Sequence, residues 1–184
     1  MVDFKPVSAS RTTLTELMIP AYANFGGKIH GGILLSLMDK VAYACASKHA
    51  ENYCVTASID TVDFLQPVEV GEMVYMHASV NHVGRTSMVV GIKVVAEDFK
   101  KQIVKHTNTC FFTMVSKGED GKPKAVPGLI LETKDDVRRF LEAIKRKELK
   151  KSFLAELNNI KTNTEVESEL YKLANENCKI TWNV

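Results

Sequence analysis

The sequence predicts an α+β fold in which an antiparallel sheet of five strands packs on one long helix. Two observations support this prediction. An apolar segment, residues 33–46, is longer than a buried strand and contains neither proline nor glycine. Four segments with alternating apolar residues then follow one another across short turns, and a fifth precedes the helix. An antiparallel sheet must bury one face, and this helix is the element that can cover it.

The predicted helix has few polar positions, and they recur at helical spacing. Its other positions are apolar almost all round, so we expect an enclosed helix. Enclosure would desolvate Asp39, which is costly for an ionised carboxylate. The polar positions are Ser36, Asp39, Lys40, Tyr43 and Ser47.

Two predicted strands flank the helix in the sequence. Residues 12–18 alternate weakly, and Pro20 ends that strand. A long strand begins at Val55 and ends at Gln66-Pro67. Its alternation changes phase around Asp60-Thr61, where we expect a β-bulge.

Three more strands follow after the turn at Gly71. The first has Val74, Met76, Ala78 and Val80 on one face, and a hairpin leads into the second. In that hairpin we expect Gly84 to supply a special backbone angle. The last strand covers residues 103–115, with one face formed by Val104, His106, Asn108, Cys110, Phe112 and Met114.

Gly31-Gly32 lies where the helix begins. Glycine allows another group to approach the backbone closely, and the first N–H groups of a helix have no internal partner. With the helix dipole, these N–H groups form a site for a polarised carbonyl or an oxyanion. The alternative is a simple turn before a core helix with a partly solvated Asp39. Spacing alone does not separate the two interpretations.

Asn24, Gly31-Gly32 and Asp39 together resemble the active-site segment of the hot-dog fold acyl-CoA thioesterases, the acyl-CoA hydrolases. The resemblance extends from about Arg11 to Pro127. It implies a curled sheet wrapped around the helix, with chains paired into dimers and often assembled into hexamers. His30 is a departure, because His-Gly-Gly is more similar to the small thioesterases of aromatic acyl-CoA degradation.

The resemblance also implies roles for these residues. Asp39 acts as general base on water or, as the second choice, as a nucleophile on the thioester carbon. The N–H of Gly32, and that of Gly31, polarises the thioester oxygen. Asn24 orients the carbonyl or the water across the dimer seam, although the sequence alone favours a loop residue that caps its own backbone. No metal or redox cofactor is expected, since a thioester is already activated, and coenzyme A is part of the substrate.

A second part of the resemblance concerns the coenzyme A moiety. Arg85, Thr86 and Ser87 are similar to the segment with which related thioesterases hold its nucleotide part, because a guanidinium pairs with phosphate and hydroxyls donate beside it. Lys122 and Lys124 are a second candidate for phosphate contact. The alternative for both segments is a solvated surface loop.

Composition narrows the class of protein. The chain has 184 residues, 45% of them hydrophobic and 25% charged, with a net charge of +2, which gives no argument for nucleic acid. No apolar run reaches membrane-spanning length and no signal peptide is visible, so we expect a cytoplasmic protein. The four cysteines show no metal-ligand spacing and are expected to be reduced.

The sequence divides into a thioesterase domain, residues 1–128, and a helical C-terminal extension, residues 129–184. Within the extension, residues 135–158 predict a basic helix. We prefer a solvated helix packed on the domain or a partner subunit, while contact with an anionic membrane surface is the alternative.

Two rival functions remain open at this point. One is a hot-dog enoyl-CoA hydratase, which needs a histidine paired with the acid, but no histidine follows Asp39 before His49. The other is a non-catalytic acyl-CoA-binding sensor module, against which the retained Asp39 argues.

Overall fold

Five antiparallel strands pack on one long helix, which confirms the predicted fold class. The computed structural model describes residues 3–182. In chain order the elements are β1 (Phe4–Pro6), α1 (Val7–Ser10), β2 (Thr12–Leu17), α2 (Gly31–Ala50), β3 (Cys54–Ile59), β4 (Met73–Val83), β5 (Ser87–Asp98), β6 (Ile103–Ser116), β7 (Gly128–Ile130), α3 (Lys134–Asn163) and α4 (Val166–Glu169). The sheet has the strand order β2-β4-β5-β6-β3. Single 3-10 turns cover Pro20–Tyr22 and Leu170–Asn175.

The core lies between the concave face of the sheet and one side of α2. Alternate residues of β4 and β5 point to this side, as their pattern predicts, and each is almost fully buried. Burying one such aliphatic side chain contributes about 1.5–3 kcal/mol. The largest contributors to the core are Met38 and Val41 of α2, Met76 and Val80 of β4, Met88 and Ile92 of β5, and Phe112 and Met114 of β6.

The expectation of a fully enclosed α2 is wrong for the single chain. Leu37, Met38 and Val41 are buried against the sheet, whereas Asp39 and Tyr43 are exposed on the opposite side. One layer of sheet covers only one side of a helix, so the other side of α2 stays open. The chain thus presents the carboxylate of Asp39 on the open side of a largely apolar helix.

The strand after α2 is shorter than expected. β3 ends at Ile59, and the register shift against β6 lies between Thr56 and Ser58, not around Asp60-Thr61. Ala57 is the extra residue, and Thr56 just before it bonds to Asp39 of α2.

A second bulge changes the face assignment of β6. The register of β5 and β6 shifts between Val94 and Val95, which leaves Thr107 as the additional residue. Its hydroxyl donates to the carbonyl of Val94 at 3.2 Å. Asn108 is therefore buried while His106 is exposed, so the prediction that they share one face is wrong.

Gly84 does not have the positive φ that we expected for the hairpin. The glycines that do are Gly27, Gly71 and Gly121. At Gly84 a Cβ would come within 3.0 Å of the Ser87 hydroxyl, so a larger residue there would have to displace that side chain.

A short parallel pair, β1 and β7, was not predicted. It lies near the C-terminal end of α2, where Lys5 of β1 donates to the carbonyl of His49 at 3.0 Å and pairs with Glu51 at 2.7 Å. His49 Nε2 lies 2.9 Å from the carbonyl oxygen of Pro127, just before β7. These contacts connect the first strand, the last strand and the end of α2.

The described chain forms two compact units that meet in sequence within α3, after Ala143. In the first unit, the beginning of α3 lies on the outer face of the sheet, with Phe140 4.7 Å from His82 between ring centres and Arg139 within 3.3 Å of Ser79. The second unit contains the rest of α3, α4 and the last 3-10 turn. Among residues 3–182, no helix has the length and apolar character needed to cross a membrane.

Candidate active site

The N-terminal end of α2 carries the first part of the site. His30 is the N-cap residue, and its Nδ1 accepts the N–H of Gly32 at 2.9 Å. The N–H of Gly32, which we predicted to donate to the thioester carbonyl, is therefore already hydrogen-bonded inside the chain. Within residues 3–182, the N–H of Gly31 has no acceptor and remains open. The helix start thus offers one open donor and one that an imidazole occupies.

The surroundings of the two glycines differ. A Cβ on Gly32 would lie 3.0 Å from His30 Nδ1, which is too close without movement of the ring. A Cβ on Gly31 would lie 3.4 Å from the ring of Phe64, an ordinary contact. Phe64 is a large apolar side chain that is 46% exposed. An apolar wall therefore stands beside the open N–H group.

Asp39 carries the second part of the site. Its Oδ1 accepts a hydrogen bond of 2.5 Å from the hydroxyl of Thr56, whose oxygen also lies 3.4 Å from Met114 Sδ. Thr56 thereby holds one carboxylate oxygen and leaves the other to face solvent. Sequence reasoning did not select Thr56, because its contact with Asp39 joins two elements that are distant in the sequence.

Asn24 organises the loop before α2. Its Oδ1 accepts the N–H groups of Gly26 at 2.9 Å and Lys28 at 3.2 Å, and Gly27 has a positive φ of 77°. This is the contact that the loop-capping interpretation describes. No partner of its Nδ2 group is found among residues 3–182, so the amide still has donors for a ligand.

The two parts of the site lie well apart on one helix. Asp39 follows Gly32 by seven positions in α2. At ~1.5 Å per residue, the two backbones are about 10 Å apart along the axis. A single chain therefore presents its helix-start N–H groups and its carboxylate at separate places on α2.

The two segments predicted to hold coenzyme A lie beside each other. Val126 N donates to the carbonyl of Arg85 at 3.1 Å, and Ser116 N donates to the carbonyl of Thr86 at 3.0 Å. Lys124 N in turn donates to the carbonyl of Ser116 at 2.9 Å. The exposed side chains of Arg85, Lys122 and Lys124 therefore belong to one basic surface, with Thr86 and Ser87 partly exposed next to it.

The sheet register places this basic surface at the same end as Asp39. Met114 of β6 pairs with Thr56 on one side and with Met88 on the other. Ser87 directly precedes Met88, and Thr56 contacts the carboxylate. A ligand could therefore extend from the carboxylate toward the hairpin.

The cysteines are not suited to nucleophilic chemistry. Cys45, Cys54 and Cys110 are buried free thiols and Cys178 is an exposed one. Burial raises the pKa of Cys45 and of Cys110 to about 12, which keeps both thiols protonated near neutral pH. Among residues 3–182, no cluster of three histidine, cysteine or acidic side chains is arranged to hold a metal ion.

Comparison with known proteins adds independent information. Residues 26–102 match the model of the thioesterase superfamily. The chain is 45% identical to the protein VdlD of Helicobacter pylori over 150 residues, 80% of this chain and 86% of that one. A solved hexameric acyl-CoA thioesterase in its apo form is 39% identical, with a TM-score of 0.81, over 84% of this chain and 99% of that one.

A second solved structure is an acyl-CoA hydrolase of Staphylococcus aureus in complex with butyryl coenzyme A, coenzyme A and coenzyme A disulfide. It is 30% identical, with a TM-score of 0.77, over 85% of this chain and 95% of that one. The same enzyme was solved as three variants in which an aspartate, a threonine and an asparagine were each changed to alanine. Their intervals, fifteen positions from asparagine to aspartate and seventeen from aspartate to threonine, equal those of Asn24, Asp39 and Thr56.

Proposed function

The chain belongs to the thioesterase superfamily and is an acyl-CoA thioester hydrolase, and from this premise we propose that Asp39, held by Thr56, is the general base of the reaction. The hydrogen bond between Thr56 and Asp39 is the observation that carries this proposal. It orients the carboxylate so that one oxygen receives the hydroxyl and the other accepts a proton from water.

The proposed reaction proceeds in two steps. Water attacks the thioester carbon and gives its proton to Asp39, while the carbonyl oxygen becomes an oxyanion. The intermediate then collapses, the carbon–sulfur bond breaks, and Asp39 returns the proton to the departing coenzyme A sulfur. The products are a free acid and coenzyme A, and we propose that no metal or redox cofactor takes part.

We propose that N–H groups at the start of α2 stabilise the oxyanion. Gly31 offers an open donor there, and Gly32 offers one that His30 must share or release. Loss of one oxyanion-hole donor costs about 3 kcal/mol of transition-state stabilisation in other acyl-transfer enzymes. The Nδ2 group of Asn24 lies on the preceding loop and is proposed to orient the carbonyl or the attacking water.

We further propose that each active site is shared by two copies of the chain. The separation of about 10 Å between Gly32 and Asp39 along one helix supports this, since both groups must reach one thioester and its attacking water. A two-fold dimer would place the helix start of one copy opposite Asp39 of the other, and it would cover the open side of α2. Assembly of such dimers into a hexamer is proposed by analogy with the hexameric relative.

The coenzyme A moiety is proposed to bind at the basic surface of the hairpin. The Arg85 guanidinium and the ammonium groups of Lys122 and Lys124 supply positive charge for phosphates, and the Thr86 and Ser87 hydroxyls supply further donors. The hydratase alternative would require a histidine at Asp39. The hydrogen-bond partner found for this carboxylate is Thr56 instead.

Mixed dimers test both the residues and the sharing of the site. Asn24→Ala and Asp39→Ala chains with different affinity tags would be produced together, and only dimers that carry both tags would be isolated. If the site is shared, each mixed dimer contains one intact site with Asn24 from one chain and Asp39 from the other, and recovers about half of the wild-type activity.

The matched control is a mixed dimer of wild-type chains with a double variant, Asn24→Ala plus Asp39→Ala. A shared site predicts almost no activity for this control, because each of its two sites lacks one group. Activity in the control without activity in the first mixture would show that each site lies within one chain.

A further inference from the structure

We propose that the outer face of the sheet binds a small organic phosphate in a cavity separate from the thioester site. The cavity, called here the outer pocket, has a volume of about 470 Å³ and lies between β4, β5, β6 and the start of α3. Asn81, Gly91, Lys93, Phe111 and Arg139 are the lining residues on which the inference depends.

The floor of the outer pocket is a buried polar arrangement. Asn81 and Ser79 are only 6% and 5% exposed. Arg139 Nη1 lies 3.3 Å from Ser79 Oγ, which donates to Asn81 Oδ1 at 2.9 Å. This chain of contacts fixes the amide so that Nδ2 is its open side. No partner of that NH₂ group is found among residues 3–182, so its N–H groups are open to a ligand in the outer pocket.

The absence of a side chain at Gly91 lets the amide of Asn81 lie directly on the strand β5. A Cβ at Gly91 would lie 2.2 Å from Asn81 Nδ2 and 3.3 Å from the ring of Phe111. Any larger residue at this position would therefore displace the amide of Asn81. Glycine inside a strand weakens it and often marks a close approach of another group. The pocket is thus shaped for the amide and the aromatic ring to meet at one point.

The charges around the floor favour an anion. Glu142, the acidic residue of the lining, accepts a hydrogen bond from Arg138 at 2.6 Å and is neutralised there. Arg139 pairs with Asp135 at 2.8 Å but keeps further N–H donors. Lys93 is exposed at the rim, and its ammonium has no acidic partner within the described part of the chain. Donors therefore exceed acceptors in the outer pocket.

The arrangement suits phosphate better than carboxylate. Donors come from β4 through Asn81, from β5 through Lys93 and from α3 through Arg139, so they approach from three directions. A tetrahedral phosphate accepts from several directions, whereas a carboxylate accepts mainly in one plane. The volume is far above the roughly 30 Å³ of one water, and the Phe111 ring offers an apolar surface, so the ligand has an organic part as well.

Calorimetric titration of the full-length protein without acyl-CoA tests the inference, with phenyl phosphate, inorganic phosphate and benzoate as probes. We expect phenyl phosphate to bind most tightly, inorganic phosphate more weakly, and benzoate weakest. Lys93→Glu should weaken binding of phenyl phosphate by about tenfold or more, since it replaces a charged donor by a repelling group. Lys100→Glu, in an exposed turn, changes net charge equally and should leave binding unchanged.

Two further measurements locate the site. Arg85→Glu should leave phenyl phosphate binding unchanged, and Lys93→Glu should leave acyl-CoA hydrolysis unchanged. Equal weakening by Lys93→Glu and Lys100→Glu, loss of binding in Arg85→Glu alone, benzoate binding as tight as phenyl phosphate, or no binding at millimolar concentration would each overturn the inference. The result is independent of the proposed hydrolysis, because no step of the titration uses a thioester.

Discussion

The two ends of α2 each carry a histidine, and the two histidines are used in different ways. At the N-terminal end, His30 is exposed and its ring covers a backbone N–H. At the C-terminal end, His49 is fully buried, with Nε2 2.9 Å from the Pro127 carbonyl and with Nδ1 lacking any partner in the described structure. The N-terminal end keeps the N–H of Gly31 accessible, whereas the C-terminal end contacts β1 through Lys5 and the segment before β7 through Pro127.

This difference separates chemistry from stability within one helix. The N-terminal half contains Gly31, Gly32 and Asp39, which are accessible to a ligand. The C-terminal half contains Cys45 and Ala46, which are fully buried. Near its end the carbonyl of His49 accepts a hydrogen bond from Lys5. Changes at the exposed residues of the first half should alter turnover at constant stability, and changes at the buried residues of the second half should do the reverse.

The largest expected effect is that of Asp39→Ala. Removing the proposed base should lower kcat/KM for acyl-CoA by about a hundredfold or more. Because Asp39 is exposed, the thermal midpoint should stay close to the wild-type value. Release of coenzyme A and thermal unfolding would be measured together. Ser36→Ala, a change on the same exposed side of α2, is the matched control, and full activity of Asp39→Ala would remove this residue from the mechanism.

A smaller effect is expected for Thr56→Val, which keeps the shape and removes the hydroxyl. The carboxylate of Asp39 then loses its 2.5 Å hydrogen bond, and kcat should fall by about tenfold while KM changes little. Thr56→Ser retains a hydroxyl and should restore most of the rate. A Thr56→Val enzyme with unchanged kcat across pH would contradict the proposed positioning role.

The opposite end of the helix should show a pH effect on stability alone. Burial lowers the pKa of His49, the Lys5 ammonium lowers it further, and the Pro127 carbonyl partly opposes the shift. The unfolded chain therefore takes up a proton at higher pH than the folded one. The free energy of unfolding should decrease as pH falls below about 6.5, and this contribution is fully present above that value.

Urea unfolding at about pH 7.5 and about pH 5.5 measures this effect. In His49→Leu the pH-dependent part should disappear, and stability at the higher pH should fall by about 1–3 kcal/mol because the Pro127 carbonyl loses its donor. His77→Leu, at an exposed strand position, is the control. A wild-type pH dependence that persists in His49→Leu would assign it to another group.

The smallest effect is expected for His30→Ala. The helix loses an exposed cap, which should cost about 1 kcal/mol of unfolding free energy. The N–H of Gly32 becomes open, so kcat/KM should change by no more than about threefold in either direction. A loss as large as that of Asp39→Ala would show that the imidazole takes part in the reaction directly.

The sequence predicts most where apolar periodicity is long. The 20-residue helix α2 and the strands β4 and β5 follow from their patterns, because a buried face leaves a regular trace in the residues. β1 and β7 have three residues each and pair across the whole domain, so no local pattern could indicate them. The bulges at Thr56–Ser58 and at Thr107 change which residues after them face the core, and a third register shift lies between Val80 and His82 of β4.

The candidate site shows the same division. Asn24, Gly31, Gly32 and Asp39 lie in one short segment and were selected from it, although their catalytic roles stay predictions. Thr56 comes from a different element, seventeen positions after Asp39, and only the folded chain brings it to the carboxylate. The bond from Gly32 to His30 depends on one side-chain rotamer, which the sequence does not specify.

The burial of three sulfurs has a practical consequence for the bench. Disulfide-type dyes that report released coenzyme A react with thiolates, and Cys45, Cys54 and Cys110 are enclosed with raised pKa values. Only the exposed Cys178 should take up such a dye in the native state. The protein itself should then react with one equivalent of dye per chain. A Cys178→Ser variant should react with almost none, so that the dye signal in a continuous assay would report released coenzyme A alone.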